Sequence, residues 1–448
     1  MCSFIFYSSA ARTCHASAWD SHVRRGPDAT ELLSVNGRIF THNLLALNGS
    51  YVTQPVHIES KGYIVFFNGE IYNLDIMYHY GGNDTKFLVD LLENTESIED
   101  AVRILDGEFV ICVYSIADDI LNIATDLFRT KPVWVGYSPI DNEWSASTYA
   151  SGADSLCKPY KCEIPGNRIL RICLSSNSVL ENKPMHDFYT IESETTFKDW
   201  CSLFDAALVK RAPRTGRLLI PVSSGFDSGL IAYRCKDLGM DPVLLSIISC
   251  EDQEIMQRRQ EHLGISFIDI TQTSYNESLQ KVLQTVENYS YTKHQPLLDI
   301  ASLHQDPGTV GLYTVLQHGK EMGCKVSYSG QGADEIYSDY GFQGLPLANV
   351  SSLAGRYPSD MSTVLPWKNL FSGTQRAYLM KDEHVAGSLG MESRYPFLDR
   401  ELFMCFLALP AEIKNSFYKG PIGRWTAELG IPVASGKLGF SANRGLTP

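Results

Sequence analysis

At 448 residues, with 44% apolar and 20% charged side chains, the chain has the length for two or three domains and the composition of an ordinary globular protein. Its net charge of −13 excludes nucleic-acid binding as its main business, because phosphate backbones need basic surfaces; only a local basic pocket stays open. No apolar run reaches a bilayer span, the opening stretch lacks the basic lead of a secretory signal, and eleven scattered cysteines without a CxxC pair read as reduced thiols of a cytoplasmic protein.

Up to about residue 185, short strands dominate. Ser3 to Ser8, Gly62 to Phe67, Glu108 to Ser115 and Pro132 to Tyr137 are rich in β-branched and aromatic residues and end at turn formers. Asp84 to Leu92 has helical spacing, so this half is α+β. A turn at Ile164-Pro165-Gly166-Asn167 leads into another strand, and the polar stretch Thr190 to Thr196 reads as a linker. Beyond it, Phe197, Trp200, Phe204 and Leu208 mark a helical face. Strands at Arg217 to Val222, Pro242 to Ile248 and Ser266 to Ile270 then alternate with helices at Asp227 to Leu238 and Gln253 to Leu263. A helix at Thr309 to Gly323 and a strand at Lys325 to Ser329 follow. This rhythm predicts a doubly wound parallel sheet, and the remainder to Pro448 reads as largely helical.

Two turns carry the chemistry. Pro221-Val222-Ser223-Ser224-Gly225-Phe226-Asp227-Ser228 joins a buried strand to a helix start, where small residues, hydroxyls and backbone amides suit a phosphate. Asp227 repels a bare anion but would hold a divalent metal that travels with one. The loop is neither GxxxxGK[ST] nor GxGxxG, and taken alone it is as readily a helix cap. Ser329-Gly330-Gln331-Gly332-Ala333-Asp334-Glu335 also follows an apolar strand. Both turns therefore belong at the carboxyl edge of one sheet, where such folds bind ligands, and Asp227 and Asp334 could share one magnesium over a triphosphate.

These residues resemble a family. Ser223 to Ser228 is similar to the SGGxDS pyrophosphate loop of glutamine-dependent asparagine synthetases, Ser329 to Glu335 to their SGEGADE, and Glu392-Ser393-Arg394-Tyr395-Pro396-Phe397-Leu398-Asp399 to their ExRxPFLD. In the first half, Arg25-Gly26-Pro27-Asp28 resembles RGPD and Asn68-Gly69-Glu70-Ile71-Tyr72-Asn73 resembles NGEIYN. The resemblance implies an N-terminal nucleophile amidohydrolase domain of stacked β-sheets with helices over residues 1–190. It also implies a doubly wound ATP-pyrophosphatase domain over residues 196–448. Glutamine would release ammonia in the first; ATP with Mg2+ would turn a small carboxylic acid, aspartate or an analogue, into an acyl-adenylate in the second. Ammonia would pass inside the protein between them. A homodimer, and no nucleic-acid or membrane partner, belong to the same expectation.

Residue by residue, the resemblance makes Cys2 the nucleophile once Met1 is removed, its α-amine serving as base near neutral pH. Asn68 and the Gly69 amide match the oxyanion donors, and Asp84, helped by Glu70, the glutamine-binding acids. Ser223, Ser224, Gly225, Asp227 and Ser228 match the pyrophosphate site, Ser329 and Gly330 the AMP site, and Asp227 with Asp334 the metal site. Lys419 matches a lysine that stabilises charge during adenylation; Lys437 falls in a terminal KxGF block. Five positions depart from the pattern. Leu44 stands where an arginine would pair with the glutamine α-carboxylate, and Ser224 replaces a glycine. Thr125 and Arg129 break an RDxxG block. Gln331 replaces a glutamate beside the acyl-adenylate, and a neutral amide can position an amine but cannot take its proton. Two alternatives therefore stand open. One is amide formation with another amine, as in β-lactam synthetases; the other is a non-catalytic member that keeps only the fold. The sequence also leads one to expect that a C-terminal helical extension is short or missing.

Overall fold

The computed structural model describes residues 2–10, 12, 16–73, 78–154, 160–188, 193–247, 251–293 and 299–434. It divides into two compact units, Met1–Asp187 and Phe188–Pro448. Lys437 and its block lie outside the described residues, as does part of the stretch read as a linker. Among the described residues no helix is long and apolar enough to cross a membrane.

The first unit holds two six-stranded sheets, antiparallel throughout. In one, Ser3–Tyr7 lies between Arg38–Leu44 and Glu143–Ser147. In the other, Gly107–Ser115 lies between Tyr63–Ile71 and Ile120–Thr125. Alternation along these strands sends Phe4, Phe6 and Phe40 of the first sheet against Phe66, Val110 and Tyr114 of the second, forming one buried core. Phe4 meets Phe66 edge to face with ring centroids 5.2 Å apart. The outer face of the second sheet packs on Phe87, Leu88 and Leu92 of the helix Asp84–Asn94. That helix starts where the Asn83 side chain accepts from the Lys86 amide at 2.8 Å. The strand read as ending at Phe67 runs on to Ile71, so Asn68, Gly69 and Glu70 sit on a rigid ladder rather than in a loop.

The second unit is built on a five-stranded parallel sheet ordered Ser266–Ile268, Val243–Ile247, Arg217–Pro221, Cys324–Tyr328, Glu392–Arg394. The chain winds outward from Arg217–Pro221 first one way and then the other. The reversal falls between that strand and Cys324–Tyr328, and the crevice beyond it opens at the two loops singled out above.

Among the elements that differ from the expectation are two short antiparallel pairs, Ser290–Lys293 with Asp299–Ser302 and Gly341–Phe342 with Leu345–Pro346, a further strand and a helix. Glu392–Arg394 is a strand in the region read as helical; three residues are too few to show a period, and tertiary pairing with Val326–Tyr328 makes it one. It is pinned by a buried ion pair, Arg394 Nε to Glu392 Oε1 at 2.6 Å, while Arg394 Nη1 donates to the Arg211 carbonyl at 2.7 Å. The helix Gln272–Thr285 was not anticipated, because only Tyr275, Ser278 and Val282 of its face are buried.

Candidate active sites

In the first unit, Cys2 is buried just before the strand Ser3–Tyr7. Its carbonyl accepts from Arg25 Nε at 2.9 Å, and Arg25 Nη1 reaches the Tyr149 hydroxyl at 3.2 Å. The arginine of the RGPD block thus holds the backbone of the candidate nucleophile. The aspartate of that block holds the neighbouring segment, since Asp28 Oδ2 accepts from the Ala46 amide at 2.8 Å and the Asp28 amide donates to the Leu44 carbonyl at 2.9 Å. Continuing the register Ser3↔Asn43 by one residue sets Leu44 opposite Cys2. Leu44 is buried.

The facing sheet supplies Asn68, Gly69 and Glu70 from one strand. His42, paired with Phe4, crosses between the sheets to the Phe67 carbonyl at 3.0 Å, one residue before Asn68. Burial pulls the His42 pKa down to about 4, against the raising effect of that bond, so the imidazole is neutral at physiological pH. Asn68 is fully buried, yet among the described residues neither atom of its side-chain amide has a hydrogen-bond partner. A buried, unsatisfied amide is costly to a fold, and such groups persist where a ligand completes them. Gly69 has φ +135°, and a Cβ there would lie 2.0 Å from the Glu108 carbonyl oxygen, so no side chain fits. Glu70 accepts from the Asn48 side chain, and two residues further the Ser50 carbonyl accepts from Asn83 at 2.7 Å. The segment 48–50 therefore joins Glu70 to the start of the helix that carries Asp84.

In the other departing block, 125–129, the aspartate is fully engaged. Asp126 accepts from the amides of Phe109 at 3.0 Å, Phe128 at 2.9 Å and Thr130 at 3.0 Å, and from the Thr130 hydroxyl at 2.7 Å. Arg129 has φ +49°, the left-handed conformation glycine would adopt freely, and its guanidinium pairs with Glu163 at 2.8 Å.

In the second unit the two loops meet. Gly330 packs so closely on the first that a Cβ there would lie 2.9 Å from Asp227 Cβ. Lys419 Nζ lies 2.6 Å from Asp227 Oδ1 and 3.0 Å from Asp334 Oδ1, with the lysine side chain buried. Burial lowers the Lys419 pKa, but the two carboxylates raise it by more, so the ammonium stays charged. The loop is internally braced, Ser228 Oγ accepting from the Ser223 amide at 2.9 Å and Ser223 Oγ from the Gly225 amide at 3.2 Å. Gly225 caps the helix Phe226–Asp237, whose first turn holds Asp227 and Ser228. Every candidate residue of this half lines one cavity of about 1020 Å³: Ser223 to Ser228, Ser329, Gly330, Gln331, Asp334 and Lys419.

Sequence reasoning missed several residues here. Arg259, fully buried, donates to the carbonyls of Ser223, Gly225 (2.9 Å) and Pro432 (2.9 Å), and so props the loop 223–228 from behind. Glu251 Oε2 accepts from both the amide and the hydroxyl of Ser224 at 2.6 Å. Asp306 pairs with Lys381 at 2.8 Å on the cavity wall. Arg259 is inside a helix and Glu251 in a bend before one, so no local pattern marks them; Asp306 caps the helix that opens at Pro307, and that Asp-Pro start was a signal for a cap rather than for a site. The Glu251 contact has a measurable consequence. A carboxylate held on these donors competes with any anion brought to them, so Glu251→Gln should tighten binding of pyrophosphate roughly three- to tenfold. Titration with pyrophosphate, followed by calorimetry, checks this.

Residues 1–189 match the family model described as a glutamine amidotransferase domain. A Methanocaldococcus jannaschii protein named for glutamine-hydrolysing asparagine synthetase is 25% identical over 402 residues, covering 84% of this chain and 70% of that protein. The glutamine-hydrolysing asparagine synthetases of Gallus gallus and Homo sapiens are each 23% identical, covering 88% of this chain and 74% of their own. Among solved structures, the glutamine phosphoribosylpyrophosphate amidotransferase of B. subtilis aligns over 90% of this chain and 92% of its own at 10% identity. Its TM-score of 0.33 is too low to bear on fold or function. Sequence similarity thus runs through both units, over an N-terminal half that matches a glutamine amidotransferase domain and a C-terminal half that gathers its acids on one lysine, and along most of its length the chain is similar to the glutamine-hydrolysing asparagine synthetases.

Proposed function

We propose that the chain forms an amide from a small carboxylic acid, using ATP to activate the acid and glutamine to supply the nitrogen. The observation that carries this reading is Lys419 lying within 3.0 Å of both Asp227 and Asp334, at the point where the parallel sheet reverses its winding. Two acids from separate loops, neutralised by one buried cation, suit a site that must accept a polyphosphate and release it.

In the first unit the Cys2 thiol attacks the glutamine amide carbon, and its α-amine, freed by loss of Met1, takes the thiol proton. Charge developing on the amide oxygen is met by the side-chain N–H of Asn68 and the backbone N–H of Gly69, neutral donors already desolvated before the reaction starts. Asp84 and Glu70 hold the glutamine α-ammonium. Ammonia leaves, and water hydrolyses the thioester.

In the second unit the acid's carboxylate oxygen attacks the α-phosphorus of ATP and pyrophosphate departs. Ser223, Gly225 and Ser228 orient the leaving group, Ser224 releases Glu251 to join them, and Lys419 balances charge on the α-phosphate. Ser329 and Gly330 lie along the AMP portion. Ammonia then attacks the acyl carbon and AMP leaves. The residues present fit Mg2+. Asp227 and Asp334 offer the two carboxylates such an ion commonly takes, with phosphate and water oxygens completing its shell. When bound it would neutralise phosphate charge.

Neither alternative raised by the departures is favoured. Relatives spanning 84–88% of the chain are named for glutamine hydrolysis, which an enzyme joining a preformed amine does not need. The test is ATP–pyrophosphate exchange across a panel of carboxylates headed by L-aspartate, with ammonia release from glutamine measured in parallel. Absence of exchange with every acid would overturn the reading.

Leu44 makes a separate prediction. A buried leucine opposite Cys2 gives no charged partner to the glutamine α-carboxylate. Charge-assisted hydrogen bonds contribute about 1.5–3 kcal/mol, so Leu44→Arg should lower the KM for glutamine by about 10-fold or more with kcat little changed. Ammonia release measured against glutamine concentration, beside a melting curve, checks it.

A further inference from the structure

Gln331 lines the cavity as a neutral amide that cannot take a proton, and the structure sets a buried carboxylate beside its loop. Asp382, on the helix Gly373–Ser388, is buried and lines the same cavity. It accepts from the Ser329 hydroxyl, and the nearby Gln331 side chain favours its charged form. The Gln331 backbone amide in turn donates to Ser329 Oγ at 3.3 Å. The segment 329–331, which the proposed function sets beside the adenylate, is therefore tied to this carboxylate through the Ser329 hydroxyl.

The other acids on the cavity wall are differently engaged. Asp227 and Asp334 face Lys419, and Asp306 faces Lys381 at 2.8 Å and the Tyr291 hydroxyl at 2.9 Å. Glu335 has one oxygen on the Tyr340 hydroxyl and the other on the Gly332 amide, capping its own helix. We propose that Asp382 is a catalytic residue that accepts the proton released when the attacking nitrogen closes on the acyl-adenylate, with Gln331 and Ser329 positioning it. This rests on the proposed function and deepens it. In the step, the nitrogen lone pair forms the C–N bond, the acyl C–O bond to AMP breaks with its electron pair leaving on AMP, and one N–H proton passes to Asp382. No oxidant or further reactant is needed.

Burial raises the Asp382 carboxyl to about 6, opposed by the bond from Ser329, by Lys381 and by Gln331, and assisted by Glu383. Around it, Lys381 and Glu383 stand on its own helix. Asp306 is at the start of the helix Pro307–Glu321, and the Glu392–Arg394 pair is on the adjacent strand. A carboxylate near 6 is largely ionised at neutral pH and still basic enough to take a proton. The ionised form is the active one, so amide formation should fall as pH drops below about 6.

The experiment uses the full chain with ATP, Mg2+, the acid that exchanges fastest in the panel, and ammonium chloride as nitrogen donor. Asp382→Asn should lower amide formation at least 100-fold relative to pyrophosphate exchange, in the range of lost general-base catalysis. It should also erase the acid limb of the pH profile. Gln331→Glu in that background should restore part of the rate, since it returns a carboxylate to the neighbouring position. Equal loss of both half-reactions in Asp382→Asn would make Asp382 a mere prop for the loop and overturn the proposal, as would an unchanged ratio or an unchanged acid limb. If the wild type exchanges with no acid at all, the function reading itself falls, a result distinct from each of these.

Discussion

Cys2→Ala is expected to remove ammonia release from glutamine, by roughly 1,000-fold or more, because the thiol that would form the thioester is gone. Free Cys112 is buried mid-strand, its thiol pushed well up by desolvation, so it cannot substitute. Amide formation supported by ammonium chloride should survive in the same variant, because the acid is activated by the second unit alone. The readout is therefore a split: glutamine-dependent turnover lost, ammonia-dependent turnover kept. Steady release of ammonia by Cys2→Ala at millimolar glutamine would refute the role of Cys2. Loss of both activities would instead report a folding defect, checked by the melting temperature.

The second large effect belongs to Lys419. Lys419→Met should abolish pyrophosphate exchange, by about 1,000-fold, for two reasons that add. The α-phosphate loses its buried cation, a loss of several kcal/mol where water is excluded. Asp227 and Asp334, now without the lysine between them, also repel the triphosphate. Asp227→Asn should lower exchange comparably, but with the opposite local imbalance: the buried ammonium keeps only Asp334. Breaking a fully buried pair costs about 3–5 kcal/mol, and less is expected here because Asp227 is 21% exposed and partly solvated. Exchange assays on both variants, with thermal melts, check the pair. Full exchange by either would detach this cluster from adenylation.

The blocks that carried the family resemblance do different work in three dimensions. Those read as chemical, NGEIYN and the two acidic turns, line candidate sites. RGPD instead braces Cys2 and the Leu44–Ala46 segment. ExRxPFLD pins the fifth strand through Glu392 and Arg394, and Asp399 starts the next helix while pairing with Arg211 at 2.7 Å. Their residue types alone did not distinguish the two uses, since a buried ion pair and a catalytic one draw on the same side chains.

By itself the sequence determined the α+β half before the α/β half, the strand–helix alternation from Arg217 to Leu263 and the two acidic turns that follow strands. These are local properties: a hydrophobic period or a run of small residues before a helix is written within a few positions. It could not indicate that Lys419 meets an acid 192 positions earlier, that Asp382 meets a serine 53 positions away, or that Glu251 reaches back 27 positions to Ser224. Only the parallel sheet decides those meetings. Reversal of its winding brings the ends of distant strands to one crevice, and burial there, rather than residue type, sets which carboxylate is paired with a lysine and which is left basic.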